Sequence, residues 1–204
     1  MQILDCEQGS AEWFRGRLGI PTASGFDKII SSTGKASTQA NGYMHKLLAE
    51  WLTGKSEDGY TNDSMERGKE LEAAAREFYA FTHDVEVQQV GLVYRDENKL
   101  VACSPDGLTE PAGLEIKCPL AHTHVSYLLA NKVPSKYIPQ IQGSMWVTGR
   151  QYWDFMSHHP DMHPLIIRVA RDEKYINTLA DLVGRFIKTM LEKRSILEEQ
   201  KHGK

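Results

Sequence analysis

The chain has 204 residues, 41% of them hydrophobic, which is enough for one large domain or two small ones around a buried core. Its formal net charge of −3 argues against a surface that grips nucleic acid everywhere, but allows a local basic lining around an acidic centre. Cys6, Cys103 and Cys118 form no CxxC pair, no apolar run reaches membrane length, and the first ten residues do not form a signal peptide. Reduced thiols in a cytoplasmic protein, with no structural zinc site and no membrane partner, are therefore expected.

Taken in chain order, residues 7–35 predict a short helix, a break at Gly19-Ile20-Pro21 and a second helix capped by Thr22 or Ser24. Arg15 and Arg17 lie just before the break. Hydroxyls at a helix start beside an arginine outline a phosphate site, and equally an ordinary cap. Residues 38–53 predict an amphipathic helix stopped by Gly54, followed by a polar loop over 54–63. The next helix runs from Ser64 to about Thr82, with Leu71, Ala74, Ala75, Phe78 and Tyr79 as its core stripe. Glu70 and Glu72 fall on opposite edges of that stripe, and periodicity does not choose between them. Residues 85–95 and the run LVACS are strand-like. A helix is expected from Pro119 to about Lys132, and another through IQGSMWVTG, closed by Gly149. Residues 151–157 and 165–170 predict strands, and Glu173 to about Gln200 a long charged helix with one apolar side. No linker or repeat interrupts this order, so one α/β domain over 1–204 is expected, with helices packed on a mixed central sheet.

The chemistry concentrates in CSPDGLTEPAGLEIKCP, residues 103–119. Leu114, Ile116 and Cys118 alternate with Glu115 and Lys117, so these two project from one face of a strand, about 7 Å apart. Pro105 and Gly107 flank Asp106, and Pro111 and Gly113 follow, which predicts a hairpin that brings Asp106 beside Glu115. Two carboxylates at one point repel unless a cation lies between them. All-oxygen ligation suits Mg²⁺ or Mn²⁺ better than zinc. With a lysine to orient water, this is equipment for phosphodiester hydrolysis. A surface hairpin with a Glu/Lys pair is the plain alternative. Histidines offer a different metal site, at His122 and His124 or at His158, His159 and His163, but without the spacing that zinc favours.

Several separated segments, in matching order, resemble one family. They are EQGSAEWFRGRLGIPTAS, ERGKELEAAAREFYAFT, YRDENKLVACSPDGL, GLEIKCP, QIQGSMWVTG and RDEKY. The chain is similar to the phage lambda exonuclease family, the YqaJ-type viral recombination nucleases of the PD-(D/E)xK superfamily. The resemblance implies a restriction-endonuclease-like core and a metal-dependent 5′→3′ exonuclease. Such an enzyme degrades one strand of duplex DNA to 5′-mononucleotides and leaves 3′ overhangs. It implies that Asp106, Glu115, Glu72 and the carbonyl of Ile116 hold Mg²⁺, replaceable by Mn²⁺ and as two ions, with Lys117 on the water. It places Arg17, Ser24, Ser104 and Gln142 in a pocket for the 5′-phosphate, Gln140 close by, and Met65 as an apolar wedge at the terminal base pair. Duplex DNA ends, a ring-shaped homotrimer and a single-strand annealing protein are the implied partners, inside a bacterial host cell with a phage or prophage as source. A site-specific endonuclease on the same metal core and a non-catalytic DNA-end-binding subunit are the competing readings.

Overall fold

The computed structural model describes residues 1–56 and 63–202; the side chains of 63–67, 69, 70 and 202 fall outside the description. The expected contacts of the 54–63 loop, and Met65 and Glu70, therefore lie wholly or largely outside the described residues and side chains.

Ser10 opens α1 (Ala11–Arg17) by accepting the Trp13 N–H. The expected second helix is a 3₁₀ helix, Ala23–Lys28. Thr22 sits at its N-cap but makes no side-chain cap bond. The Thr22 and Ser24 hydroxyls accept from Arg17 instead. Helix α2 (Ala40–Thr53) stops at Gly54, whose φ of 67° a side chain would resist. Helix α3 spans Asp63–His83.

Two sheets follow. The first is antiparallel: β1 (Gln2–Leu4), β2 (Leu92–Tyr94) and β3 (Ala102–Cys103). The second contains β4 (Gly107–Leu108), β5 (Ala112–Lys117), β6 (Tyr152–His159) and β7 (Met162–Ala170) in that order. It is mixed, because β5 and β6 run parallel while the other pairs are antiparallel. The strand expected over 85–95 is reduced to β2 and a bridge at Gln88. Its two ends serve different layers: Val85 and Val87 pack beneath α3, whereas Val90 and Val93 join the large core.

Three more helices complete the order: α4 (Ala121–Ala130), α5 (Ile138–Thr148) and α6 (Glu173–His202). On one side of β5 and β6, Leu114, Ile116 and Met156 meet Ala75 and Tyr79 of α3. The expected α3 stripe is narrower than its period suggested: Ala74 is exposed, and Phe78 is 40% exposed. On the other side, Trp153 and Phe155 join Ile141 and Met145 of α5 and Leu179 and Val183 of α6 in the large core. Gly143 allows the closest approach there, since a Cβ would stand 2.3 Å from the buried Phe26 ring.

One polar tie crosses the apolar layer beneath α3. Asp154 of β6 is 2% exposed and accepts two bonds from Arg168, at 2.8 and 2.7 Å. It also accepts the Tyr79 hydroxyl of α3. Burial opposes the Asp154 charge, but Arg168 and Tyr79 outweigh it and hold the carboxyl below its ordinary range. The mixed sheet flanked by helices is the restriction-endonuclease-like arrangement expected. No described helix is long and apolar enough to cross a membrane.

Candidate active site

The hairpin forms, and it brings Asp106 to β5. The Asp106 N–H donates to the Leu114 carbonyl at 3.1 Å, and the Ile116 N–H donates to the Asp106 carboxylate at 2.6 Å. Strand alternation then decides the neighbours. Leu114 and Ile116 enter the α3 layer, while Glu115 and Lys117 project oppositely, toward α5 and the turn before it. Glu115 is 1% exposed. One of its oxygens, Oε1, takes the Lys117 ammonium and the Gln140 amide, the latter at 2.7 Å. Its other oxygen, Oε2, is buried with no partner among the described residues.

Helix α3 contributes from above. Arg76 donates to Glu72 at 2.7 Å and to the Asp106 main-chain carbonyl at 2.6 Å, so one guanidinium spans helix and hairpin. The electrostatics follow from this crowding. Burial pushes the Glu72 carboxyl up to about 7, with the Asp106 charge adding to the effect. Burial likewise pushes Glu115 up to about 7, against the pull of Lys117. Asp106 is raised by burial as well. Burial disfavours the Lys117 charge, but Glu115 and Asp106 outweigh it and keep the ammonium protonated.

A cavity of about 750 Å³ opens beside this cluster, and Asp106, Glu72, Arg76, Arg17, Thr22 and Trp13 are among its lining residues. Arg17 donates to Ser104, Thr22 and Ser24, each at 3.4 Å. Its guanidinium lies over the Trp13 ring, 4.0 Å from the centroid. The structure thus gathers Arg17, Ser24 and Ser104 as expected, and adds Thr22 and Trp13.

Gln142 is 4% exposed; its amide donates to the Ala170 carbonyl (3.0 Å) and accepts the Asp172 N–H (3.0 Å), which fastens α5 to the start of α6. Two residues apart on a helix means about 200° around it, so Gln140 and Gln142 cannot face one site. Gln140 is the one that reaches the carboxylates. Arg76 and Trp13 escaped the sequence reading, whereas Thr22 is among the hydroxyls that the sequence outlines as a phosphate site or a cap. Only the position of Arg76 one turn beyond Glu72 could have flagged it.

The donors suit a hard dication: they are oxygens, one is buried without a partner, and burial and mutual repulsion already raise the carboxyl groups. Among the described residues, no three His, Cys, Asp or Glu side chains are set to hold a metal ion as they stand. Of the histidines considered above, His124 is buried and tied to the Ser157 hydroxyl (2.8 Å) and the His163 carbonyl (3.0 Å), a packing role.

Comparison with known proteins agrees with this arrangement. LHK-Exo, an alkaline exonuclease from Laribacter hongkongensis, matches with a TM-score of 0.84 at 34% identity, over 94% of this chain and 98% of that one. It has also been solved in complex with dAMP. A phage-related exonuclease from Haemophilus somnus shares the fold, with a TM-score of 0.68 at 17% identity, over 89% of this chain and 96% of that one. An uncharacterized protein of Acanthamoeba polyphaga mimivirus is 26% identical over 172 residues, 76% of this chain but only 30% of that protein. The model of the YqaJ-like viral recombinase domain matches residues 12–151. By that match, the chain belongs to the YqaJ-like viral recombinase family.

Proposed function

We propose that the chain is a metal-dependent exonuclease that removes 5′-mononucleotides from one strand of duplex DNA, moving 5′→3′ and leaving a 3′ overhang for strand annealing. The observation that carries this reading is the juxtaposition, around one cavity, of a carboxylate cluster and an arginine ringed by hydroxyls. The dAMP complex of LHK-Exo, a relative with a bound 5′-mononucleotide, supports it.

In this mechanism Asp106, Glu115, Glu72 and the Ile116 carbonyl would hold Mg²⁺, or Mn²⁺ in its place, as two ions. Bound there, the metal supplies Lewis-acid polarisation of the phosphodiester and a water acidic enough to attack at neutral pH. The side chains do the rest. The Lys117 ammonium is a donor only, so it orients the water through a lone pair and leaves its protons available. Gln140 restrains Glu115, and Arg76 keeps Glu72 turned toward Asp106. Arg17, with Ser104, Ser24 and Thr22, grips the terminal 5′-phosphate and sets the direction of digestion. The family likeness extends the proposal to a homotrimeric ring around the DNA and to a single-strand annealing partner.

The test is a linear duplex labelled separately at each terminus and incubated with Mg²⁺. Mononucleotides from the 5′ terminus are expected first, while a covalently closed circle survives. Early release from the 3′ terminus, or cutting of the circle, overturns the reading.

A further inference from the structure

The hydroxyl-ringed arginine rests on an indole, and the direction of its hydrogen bonds has a consequence. The Trp13 Nε1–H donates to the Ser104 hydroxyl oxygen at 3.0 Å and also to the Gly91 carbonyl at 3.0 Å. Arg17 donates to the same Ser104 oxygen at 3.4 Å. Indole and guanidinium nitrogens can only donate. Both lone pairs of the Ser104 oxygen are therefore used by incoming N–H groups, and its own proton has to point to an acceptor elsewhere. No described protein acceptor takes it, and Ser104 is half-buried beside Arg17, which lines the cavity.

The same logic applies across the guanidinium. Arg17 donates to both Thr22 and Ser24, whose hydroxyls lie 3.2 Å apart. One of them donates to the other, and the second proton is left over. A phosphate monoester accepts hydrogen bonds and, as a dianion, donates none, whereas a terminal hydroxyl does both. A cradle whose free protons all point outward favours the phosphate.

We propose that Trp13 is a positioning residue of this cradle: by occupying a lone pair of Ser104 with a group that can only donate, it fixes the serine as a donor and so sets the preference for a phosphorylated 5′ terminus over a hydroxyl one. This rests on the 5′-phosphate reading given above. Trp13 acts through Ser104, and its ring also seats Arg17, so the N–H has to be tested apart from the ring.

The experiment measures the ratio of initial digestion rates on 5′-phosphorylated and 5′-hydroxyl duplexes for the wild type, Trp13→Phe, Ser104→Ala and the double variant. Ser104→Ala is expected to lower the ratio about tenfold, the factor carried by one hydrogen bond to a charged group. Trp13→Phe is expected to lower it about fivefold, because the serine is freed to turn but not removed. In the double variant the ratio should equal that of Ser104→Ala alone, since the N–H has nothing left to orient. An undiminished ratio in Trp13→Phe, or an equal further drop when it is added to Ser104→Ala, overturns the role of Trp13. A wild-type ratio near one overturns the phosphate reading itself and the inference with it. Should the smaller phenyl ring unfold the protein, benzothienylalanine at position 13 keeps the bicyclic shape without the N–H and gives the same comparison.

Discussion

Glu115→Gln separates the electrostatics of the site from its packing. The folded-state carboxyl is pushed from 4.5 up to about 7, so between those values the folded protein binds more protons than the unfolded chain. The sign follows: stability falls as pH rises through that window and is flat above it, for lack of a cation. At about 1.4 kcal/mol for each tenfold change in proton affinity, the rise from 4.5 to about 7 corresponds to about 3 kcal/mol of destabilisation carried by ionised Glu115 at about pH 8. Glu72 adds the same sign over the same window, but its side chain is 28% exposed and solvent screens it. Glutamine keeps the shape of the neutral carboxyl. In EDTA at about pH 8 the variant should therefore melt roughly 6–12 °C above the wild type, taking about 2–4 °C per kcal/mol for a chain of this size. Its melting temperature should also decline less between about pH 5 and pH 8. Mg²⁺ should raise the wild-type value and leave the variant almost unmoved. Differential scanning fluorimetry across that pH range, with and without Mg²⁺, reads all three. A variant that melts below the wild type at about pH 8, or that keeps the full Mg²⁺ shift, refutes the argument.

Other perturbations address other parts. Arg17→Ala should slow digestion of 5′-phosphorylated ends by about a hundredfold, two hydrogen bonds to a charged group, while Mn²⁺ binding followed by calorimetry changes little; equal losses on phosphorylated and hydroxyl ends would contradict the pocket. Arg76→Lys keeps the charge but cannot span Glu72 and the Asp106 carbonyl, so Mn²⁺ affinity in the absence of DNA should weaken about tenfold by calorimetry. Asp154→Asn removes the anion shared by the half-exposed Arg168 and the Tyr79 hydroxyl but keeps one acceptor oxygen, and should cost about 1–3 kcal/mol in urea unfolding at neutral pH. Because the folded-state Asp154 carboxyl is held low, its contribution is present at neutral pH and disappears as pH falls through that lowered value. Gly143→Ala forces a methyl against the Phe26 ring and should cost about 1–3 kcal/mol, read in the same way.

The parts of the molecule that were legible in the sequence are those set by short-range periodicity. Alternation along β5 placed Glu115 and Lys117 on one face, and the turn residues on either side of Asp106 announced the hairpin. Helix ends at Gly54 and Gly149 followed from their glycines. The contacts that complete the site span long distances in the chain, and no local pattern encodes them. Trp13 meets Ser104 across 91 residues and Tyr79 meets Asp154 across 75. Gln140 and Gln142 show the same limit: a QIQ string shows two amides, but only the packing of α5 tells which one faces the carboxylates. Strand lengths were overestimated over 85–95 because the valines there are shared between two layers.

The Tyr79–Asp154–Arg168 tie bears on how this lineage can diverge. Losing Asp154 strands the buried Tyr79 hydroxyl, and losing Arg168 leaves the buried Asp154 charge unneutralised, whereas exchanging all three for apolar side chains of similar volume leaves nothing to satisfy. Relatives should accordingly hold the whole trio or none of it, with single exchanges rare. Deep sequence sampling would then show three alignment columns switching in concert, on the helix that carries Glu72 and on two strands remote from it in the chain.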